Sequence, residues 1–206
     1  MRMFRTLMMA AAMMGASLPA FAVDWEALDL ENTLVLELSH GRVVIEMRPD
    51  KAPNHVARIK ELVRQNFYDG LKFHRVIPDF MAQTGDPKGD GTGGSGREMK
   101  NEFNNLRHLR GTVSMAREGG NVDSADSQFF IMLNAKRSLD RQYTVWGRVV
   151  DGMEAVDQIR QGTEGNNGKV DFPDSITSLR VAADLTPEER GPSAPLTPAP
   201  AEAAPQ

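Results

Sequence analysis

No cysteine occurs anywhere in the 206-residue chain. That absence excludes disulfide staples, thiol catalysis and cysteine-ligated metal sites, and it removes any risk of mispairing in an oxidising compartment. A basic excess is missing as well: 24 Lys and Arg stand against 28 Asp and Glu, a formal net charge of −4. With no basic tract, nucleic acid is excluded as an expected partner. Nor does any apolar run reach the roughly 20 residues a membrane-spanning helix needs. There is no internal repeat and no βαβ alternation, so a parallel doubly wound sheet is not expected.

What is present begins with an apolar run at 7–18, preceded by Arg2 and Arg5 and closed by Ala20-Phe21-Ala22. Small residues at those closing positions are what a signal peptidase reads, so 1–22 is expected to be a secretory signal peptide cleaved after Ala22. The protein is then expected in the periplasm, with no stable membrane association after cleavage. Six of the twelve Met residues lie in this leader, and its loss removes two basic residues and no acid. At the other end, 187–206 is rich in Pro and Ala with a single Leu. It cannot bury enough apolar surface to offset ordering, and is expected to be a disordered tail; a spacer or docking role is open to it, but a plain disordered tail is the favoured reading. Residues 23–186 remain as one globular domain.

Within that domain, 33–38 and 42–48 alternate apolar residues (Leu34, Leu36, Leu38; Val43, Ile45, Met47) around Ser39-His40-Gly41, and read as two strands and a turn. Residues 53–67 place Val56, Ile59, Leu62, Val63 and Phe67 at helical spacing behind Pro53, which suits a first turn. Further strands are expected at 111–116, 127–133, 143–149 and 174–181. A second helix is expected at 151–159, opened by Asp151 and Glu154 as a variant capping box. Pattern alone therefore indicates a mostly antiparallel β domain, sandwich or barrel, with helices set against it.

The densest stretch is 73–94, FHRVIPDFMAQTGDPKGDGTGG. Two short strands joined at Pro78 would set Arg75 and Gln83 beside Phe80 and Met81. A permanent cation and an amide beside apolar side chains suit a neutral, half-apolar ligand. Gly89, Gly91 and Gly94 match G-x-G-x-x-G, but no strand leads in and no helix follows, so the glycines read as turn and close-approach positions. Asp123 and Asp126 lack the order of a calcium loop and read as a solvated loop.

This stretch resembles the signature block of the cyclophilin-type peptidyl-prolyl cis-trans isomerases. GTVSMAR at 111–117, SQFFIML at 127–133, LD at 139–140, YTVWGRV at 143–149 and GMEAVDQI at 152–159 extend the resemblance, in unchanged order, over 34–181. It implies a closed eight-stranded antiparallel β-barrel with two capping α-helices, and an isomerase (rotamase) acting on X-Pro bonds in unfolded or extended polypeptides. No cofactor or metal is implied, and a monomer is expected. Carried over by position, Arg75 matches the catalytic arginine, while Phe80, Met81, Phe130, Leu139 and Tyr143 match the walls of the proline pocket. Gln83 matches the glutamine that orients the arginine, Ala116 and Arg117 the pair that meets the backbone preceding the proline, and His74 and Gln128 residues of the rim. Without the flanking blocks, Arg75 would read as a surface arginine and the apolar residues as ordinary core. Ser138 stands where many members carry Trp, Tyr143 where His is frequent, and Arg117 where Asn is common. Loss of the aromatic wall at Ser138 is expected to weaken binding of cyclosporin-like macrocycles with catalysis largely intact, and the other departures bear on substrate preference beyond the proline.

Overall fold

The computed structural model describes residues 23–192. The expected leader, 1–22, and most of the expected tail lie outside the described residues. Eight strands follow one another as β1 (Thr33–Leu38), β2 (Gly41–Met47), β3 (Arg75–Ile77), β4 (Met81–Thr84), β5 (Thr112–Met115), β6 (Phe129–Met132), β7 (Val145–Asp151) and β8 (Ser178–Val181). The helices are α1 (Pro53–Arg64), α2 (Met153–Asp157) and α3 (Pro187–Arg190).

All strand pairs are antiparallel, in the order β3-β4-β6-β5-β7-β2-β1-β8. Register shifts where β7 pairs with β2 and with β5 mark irregularities that help the sheet curl. The sheet does not close, which corrects the expectation of a closed barrel. β3 and β8 are its edges, and no ladder joins them. The reason lies in the loop that precedes β8: its irregular backbone occupies the gap. Val76 N–H donates to Gly168 O at 2.8 Å, Gly162 N–H to Val76 O at 2.9 Å and Val170 N–H to His74 O at 3.1 Å. The edge is thus satisfied by loop backbone rather than by β8. Glycine is required there, because a Cβ at Gly162 would lie 2.3 Å from the carbonyl oxygen of Gly168.

The core fills the concave side of the sheet. Leu34, Leu36, Val43, Ile45 and Met47 meet Val113, Met115, Phe129, Ile131 and Trp146, and Val56, Ile59, Leu62 and Val63 of α1 close over them. Phe129 sits edge-on to Trp146 at 5.5 Å and to Tyr68 at 5.6 Å. Alternation does not expose the other side of β1 and β2. Val35 and Val44 are buried beneath Val23, Trp25 and Ala182, so segments before β1 and after β8 form a second small cluster.

Both predicted helices are shorter than their apolar spacing suggests. α1 stops at Arg64 because Asn66 turns into the left-handed region (φ 55°). α2 spans only Met153–Asp157, since Asp151 belongs to β7 and Gly152 (φ 86°) takes the N-cap position without a side-chain bond. The expected capping box is absent. A Cβ at Gly152 would lie 2.1 Å from Arg42 O, so close backbone packing sets this start. Nor is all of 187–206 irregular. Pro187–Arg190 forms a helical turn with a Thr186–Glu189 capping box, and Arg42 Nη2 donates to Glu189 O at 2.9 Å.

The start of α1 lacks a side-chain cap of its own, Ala52 standing at the N-cap. Glu102 supplies one from a distant loop. It accepts from Asn54 N–H at 3.1 Å, Asn54 Nδ2 at 2.7 Å and His55 N–H at 3.0 Å, and faces His55 Nδ1 at 2.7 Å. Burial opposes its ionisation, but these donors outweigh burial and hold the carboxyl below its ordinary 4.5. A depressed carboxyl contributes stability above its unfolded pKa and loses it as pH falls through the folded one. Glu102→Ala is therefore expected to cost about 1–3 kcal/mol at neutral pH. In thermal melts the variant and the parent should converge once the pH is taken well below 4.5.

Candidate active site

The period-2 geometry of the strands builds the site. Across β3, β4, β6 and β5 the register aligns Val76, Ala82, Ile131 and Val113 in one row, and all four are buried in the core. The adjacent row is Arg75, Gln83, Phe130 and Ser114, which must point to the opposite, convex side. A cation, an amide and an aromatic ring from three neighbouring strands are thereby set side by side. The β3–β4 turn, with Asp79 at φ 55°, adds Phe80 to the same side.

These side chains open into a cavity of about 490 Å³, within the range of small-ligand sites. Phe80, Met81, Phe130, Leu139 and Tyr143 supply its apolar walls, and Arg75, Gln83, His74, Ala116 and Arg117 complete it. Phe130 and Tyr143 meet edge to face at 5.7 Å. Leu139 arrives on a 3₁₀ turn, Arg137–Leu139, on which Ser138 is exposed. Ten of the eleven residues singled out from the sequence therefore line one cavity. The eleventh, Gln128, stands behind Gln83 in an adjoining cavity of about 550 Å³.

Arg75 is fixed by neutral oxygens. Its Nη1 donates to Gln83 Oε1 at 3.0 Å, its Nε to Asn167 O at 3.0 Å and its Nη2 to Asn167 Oδ1 at 2.8 Å. Among the described residues it has no carboxylate within ion-pair distance. Burial pulls its pKa below the usual arginine range, yet the guanidinium stays a cation at neutral pH. Gln83 Nε2 donates to Gln128 Oε1 at 2.8 Å, and Gln128 Nε2 donates to Gly91 O at 3.1 Å and Gly93 O at 2.7 Å. The orientation of the arginine is thus tied through two amides to the glycine segment.

That segment is held by carboxylates acting as backbone clamps. Asp86 accepts from the N–H groups of Lys88, Asp90 and Gly91 at 2.8, 3.0 and 2.6 Å. Asp126 accepts from Ser95 Oγ and from Gly96 N–H, and a Cβ at Gly94 would lie 2.4 Å from its Oδ2. Asp123 accepts from the backbone and side-chain nitrogens of Asn101 at 2.9 and 2.7 Å. No group of three or more potential metal ligands occurs among the described residues.

Two participants escaped the sequence reading. Asn167 is recognisable only after folding, because it sits 92 residues from the arginine it holds. His108 lies stacked behind Phe130 at 6.1 Å, with Asp140 Oδ1 at 3.2 Å from its Nδ1 and Ser114 Oγ at 3.2 Å from its Nε2. Burial outweighs Asp140 and lowers its pKa, so it is neutral at physiological pH and acts as a rigid wall. His74 is likewise buried, pushed below 6.5 mainly by desolvation, and neither ring nitrogen has a hydrogen-bond partner among the described residues. Arg117, where a smaller amide is common in the resembling family, lies over the Tyr143 ring at 4.7 Å and donates to Gln142 O at 3.2 Å.

A curled antiparallel sheet that sets apolar walls beside an unneutralised, oriented cation defines a class: a β domain with a cavity suited to a neutral, half-apolar ligand. The comparisons make it specific. Residues 33–181 match the family model described as cyclophilin type peptidyl-prolyl cis-trans isomerase/CLD. A probable peptidyl-prolyl cis-trans isomerase of Brucella suis is 48% identical over 196 residues, covering 89% of this chain and 99% of the relative. A peptidyl-prolyl cis-trans isomerase of Synechococcus elongatus is 39% identical over 73% of this chain and 96% of its own length. Among solved structures, the cyclophilin AquaCyp293 of Hirschia baltica superposes with a TM-score of 0.69 at 29% identity, over 78% of this chain and 77% of that one. A cyclophilin-type isomerase of Cryptosporidium parvum, crystallised in the presence of the dipeptide Ala-Pro, gives 0.67 at 25% identity, over 72% and 98%. The chain belongs to the cyclophilin-type peptidyl-prolyl cis-trans isomerase family, and it is an enzyme of that activity.

Asn167 offers a clean test of how the cation is held. Its φ of 59° and its carbonyl bond to Arg75 Nε both survive Asn167→Gly, which deletes only the Oδ1 acceptor. Loss of about 1 kcal/mol of orientation would lower kcat/KM about 5-fold without a matching fall in melting temperature.

Proposed function

We propose that Arg75 accelerates rotation about X-Pro bonds by donating a hydrogen bond to the prolyl nitrogen while the ring is held against Phe80, Met81, Phe130, Leu139 and Tyr143. The observation that carries this reading is a guanidinium held by three bonds to neutral oxygens at the edge of an apolar cavity. C–N rotation breaks amide resonance, a barrier of about 18–20 kcal/mol. As the bond twists, the prolyl nitrogen regains its lone pair and becomes an acceptor, which it is not in the planar ground state. A donor already aimed at that position binds the twisted state more tightly than either planar isomer, and that difference is catalysis. No proton changes owner, which suits a site whose two histidines are kept neutral. Ala116 and Arg117 stand beside the cavity to meet the backbone before the proline, and Gln83 orients the arginine.

The clients are proposed to be proline-containing segments of unfolded exported proteins, met in the bacterial periplasm by a monomeric enzyme. Supporting this are the charged, apolar and small-residue pattern of 1–22 and the cysteine-free composition. Mass measurement of the protein recovered from the host's periplasmic fraction is expected to show a chain starting at Val23. Recovery of the uncleaved chain from the cytoplasm would refute the export reading.

The chemistry is tested by cis-to-trans isomerisation of an Ala-Pro peptide. Arg75→Ala is expected to lower kcat/KM by about 100-fold or more at unchanged melting temperature, as for loss of a preorganised transition-state donor. Arg75→Lys should recover little, since an ammonium cannot reproduce the planar fork held by Gln83 and Asn167. Retention of near-parental activity in Arg75→Ala would overturn the assignment.

A further inference from the structure

Both ends of the described chain meet on the outer face of β1 and β2, largely outside the shared span 33–181. Between the segment before β1 and α3 runs a groove of about 490 Å³, walled by Trp25, Leu28, Leu30, Pro187 and Gly191. Two charged residues also line it: Glu26 is exposed, and Arg190 is already committed, donating from Nη1 to Ala182 O at 3.0 Å and Leu185 O at 2.6 Å. Trp25 is buried, its indole nitrogen included, and that nitrogen has no hydrogen-bond partner among the described residues. Aromatic grooves are a recurring recognition surface for proline-rich segments in the polyproline II conformation, whose preset backbone loses little entropy on docking.

The chain carries such a segment at the edge of this groove. It leaves α3 through Gly191, itself part of the wall, at φ 83°. It continues as Pro192-Ser193-Ala194-Pro195-Leu196-Thr197-Pro198-Ala199-Pro200. Pro192, Pro195 and Pro198 recur at every third residue, the repeat of a polyproline II helix, so they would share one edge of it. The stretch has no charged side chain, and burying it therefore desolvates no ion. At about 3.1 Å per residue, 192–198 would extend about 20 Å from Gly191 with no linker to span.

We propose that residues 192–200 dock in cis as a polyproline II segment in the groove between Trp25 and α3, its prolines packing on the apolar wall formed by Trp25, Leu28 and Leu30. The site lies toward the opposite end of the strand order from the β3–β4–β6 cavity, so docking keeps the tail's own X-Pro bonds away from the enzyme's active site.

The absence of cysteine makes the test direct, because one introduced thiol takes one nitroxide label. With Ala201→Cys labelled in the full chain, NMR is expected to show loss of the Trp25 indole signal and of the Leu28 and Leu30 amide signals. The losses should not depend on protein concentration. Adding Pro195→Gly and Pro198→Gly, both in the tail and so without effect on the folded domain, should restore the signals. Unchanged Trp25, Leu28 and Leu30 signals would overturn the proposal, as would losses centred on Phe130 and Tyr143, which would put the tail in the catalytic cavity. Losses that disappear on dilution would overturn it in favour of a second copy's tail.

Discussion

Arg75 carries its charge half-buried against an aromatic wall, and the oxygens that hold it are neutral. That constraint organises the rest of the site. Hydrogen bonds from a charged donor are worth about 1.5–3 kcal/mol each, and three of them offset the cost of drawing the guanidinium out of water. A carboxylate partner would hold it more tightly, but it would also neutralise the charge on which the proposed bond to the prolyl nitrogen depends. Amide and carbonyl oxygens fix direction without cancelling charge. Gln83 serves from the paired position on β4, and Asn167 from the loop that fills the gap between the sheet edges.

That loop links architecture to chemistry. Its backbone takes up the free N–H and C=O groups along β3, which leaves the sheet open yet without an exposed edge on that side. The same passage turns Asn167 into the left-handed region and brings both of its oxygens to Arg75. Sheet closure by a full β3–β8 ladder would remove the irregular backbone that supplies those acceptors. An open sheet and an oriented cation are consequences of one segment.

Behind the arginine, order is transmitted by amides and carboxylates rather than by core packing. Gln83 and Gln128 connect the guanidinium to carbonyls of the glycine segment, and Asp86 and Asp126 pin that segment by its N–H groups. The glycines accept positive φ and the close approach of Asp126, so they are scaffolding for the cavity rather than a phosphate cradle.

Much of this was legible in the chain itself. Alternation in 33–38 and 42–48 marks the concave side of the sheet, Pro78 separates two short strands, and the order of blocks from 73 to 159 points to the family and to the residues of the cavity. Those features are local: period-2 burial, helix spacing and turn chemistry act over a few residues, and a sequence records them directly. What the tertiary structure alone decided depends on contacts between distant residues. The open sheet, the five-residue α2 forced by backbone packing at Gly152, the capping of α1 by Glu102 and the grip of Asn167 on Arg75 all arise this way. Each joins groups far apart in the chain, where side-chain pattern gives no register and only the folded backbone sets the distance.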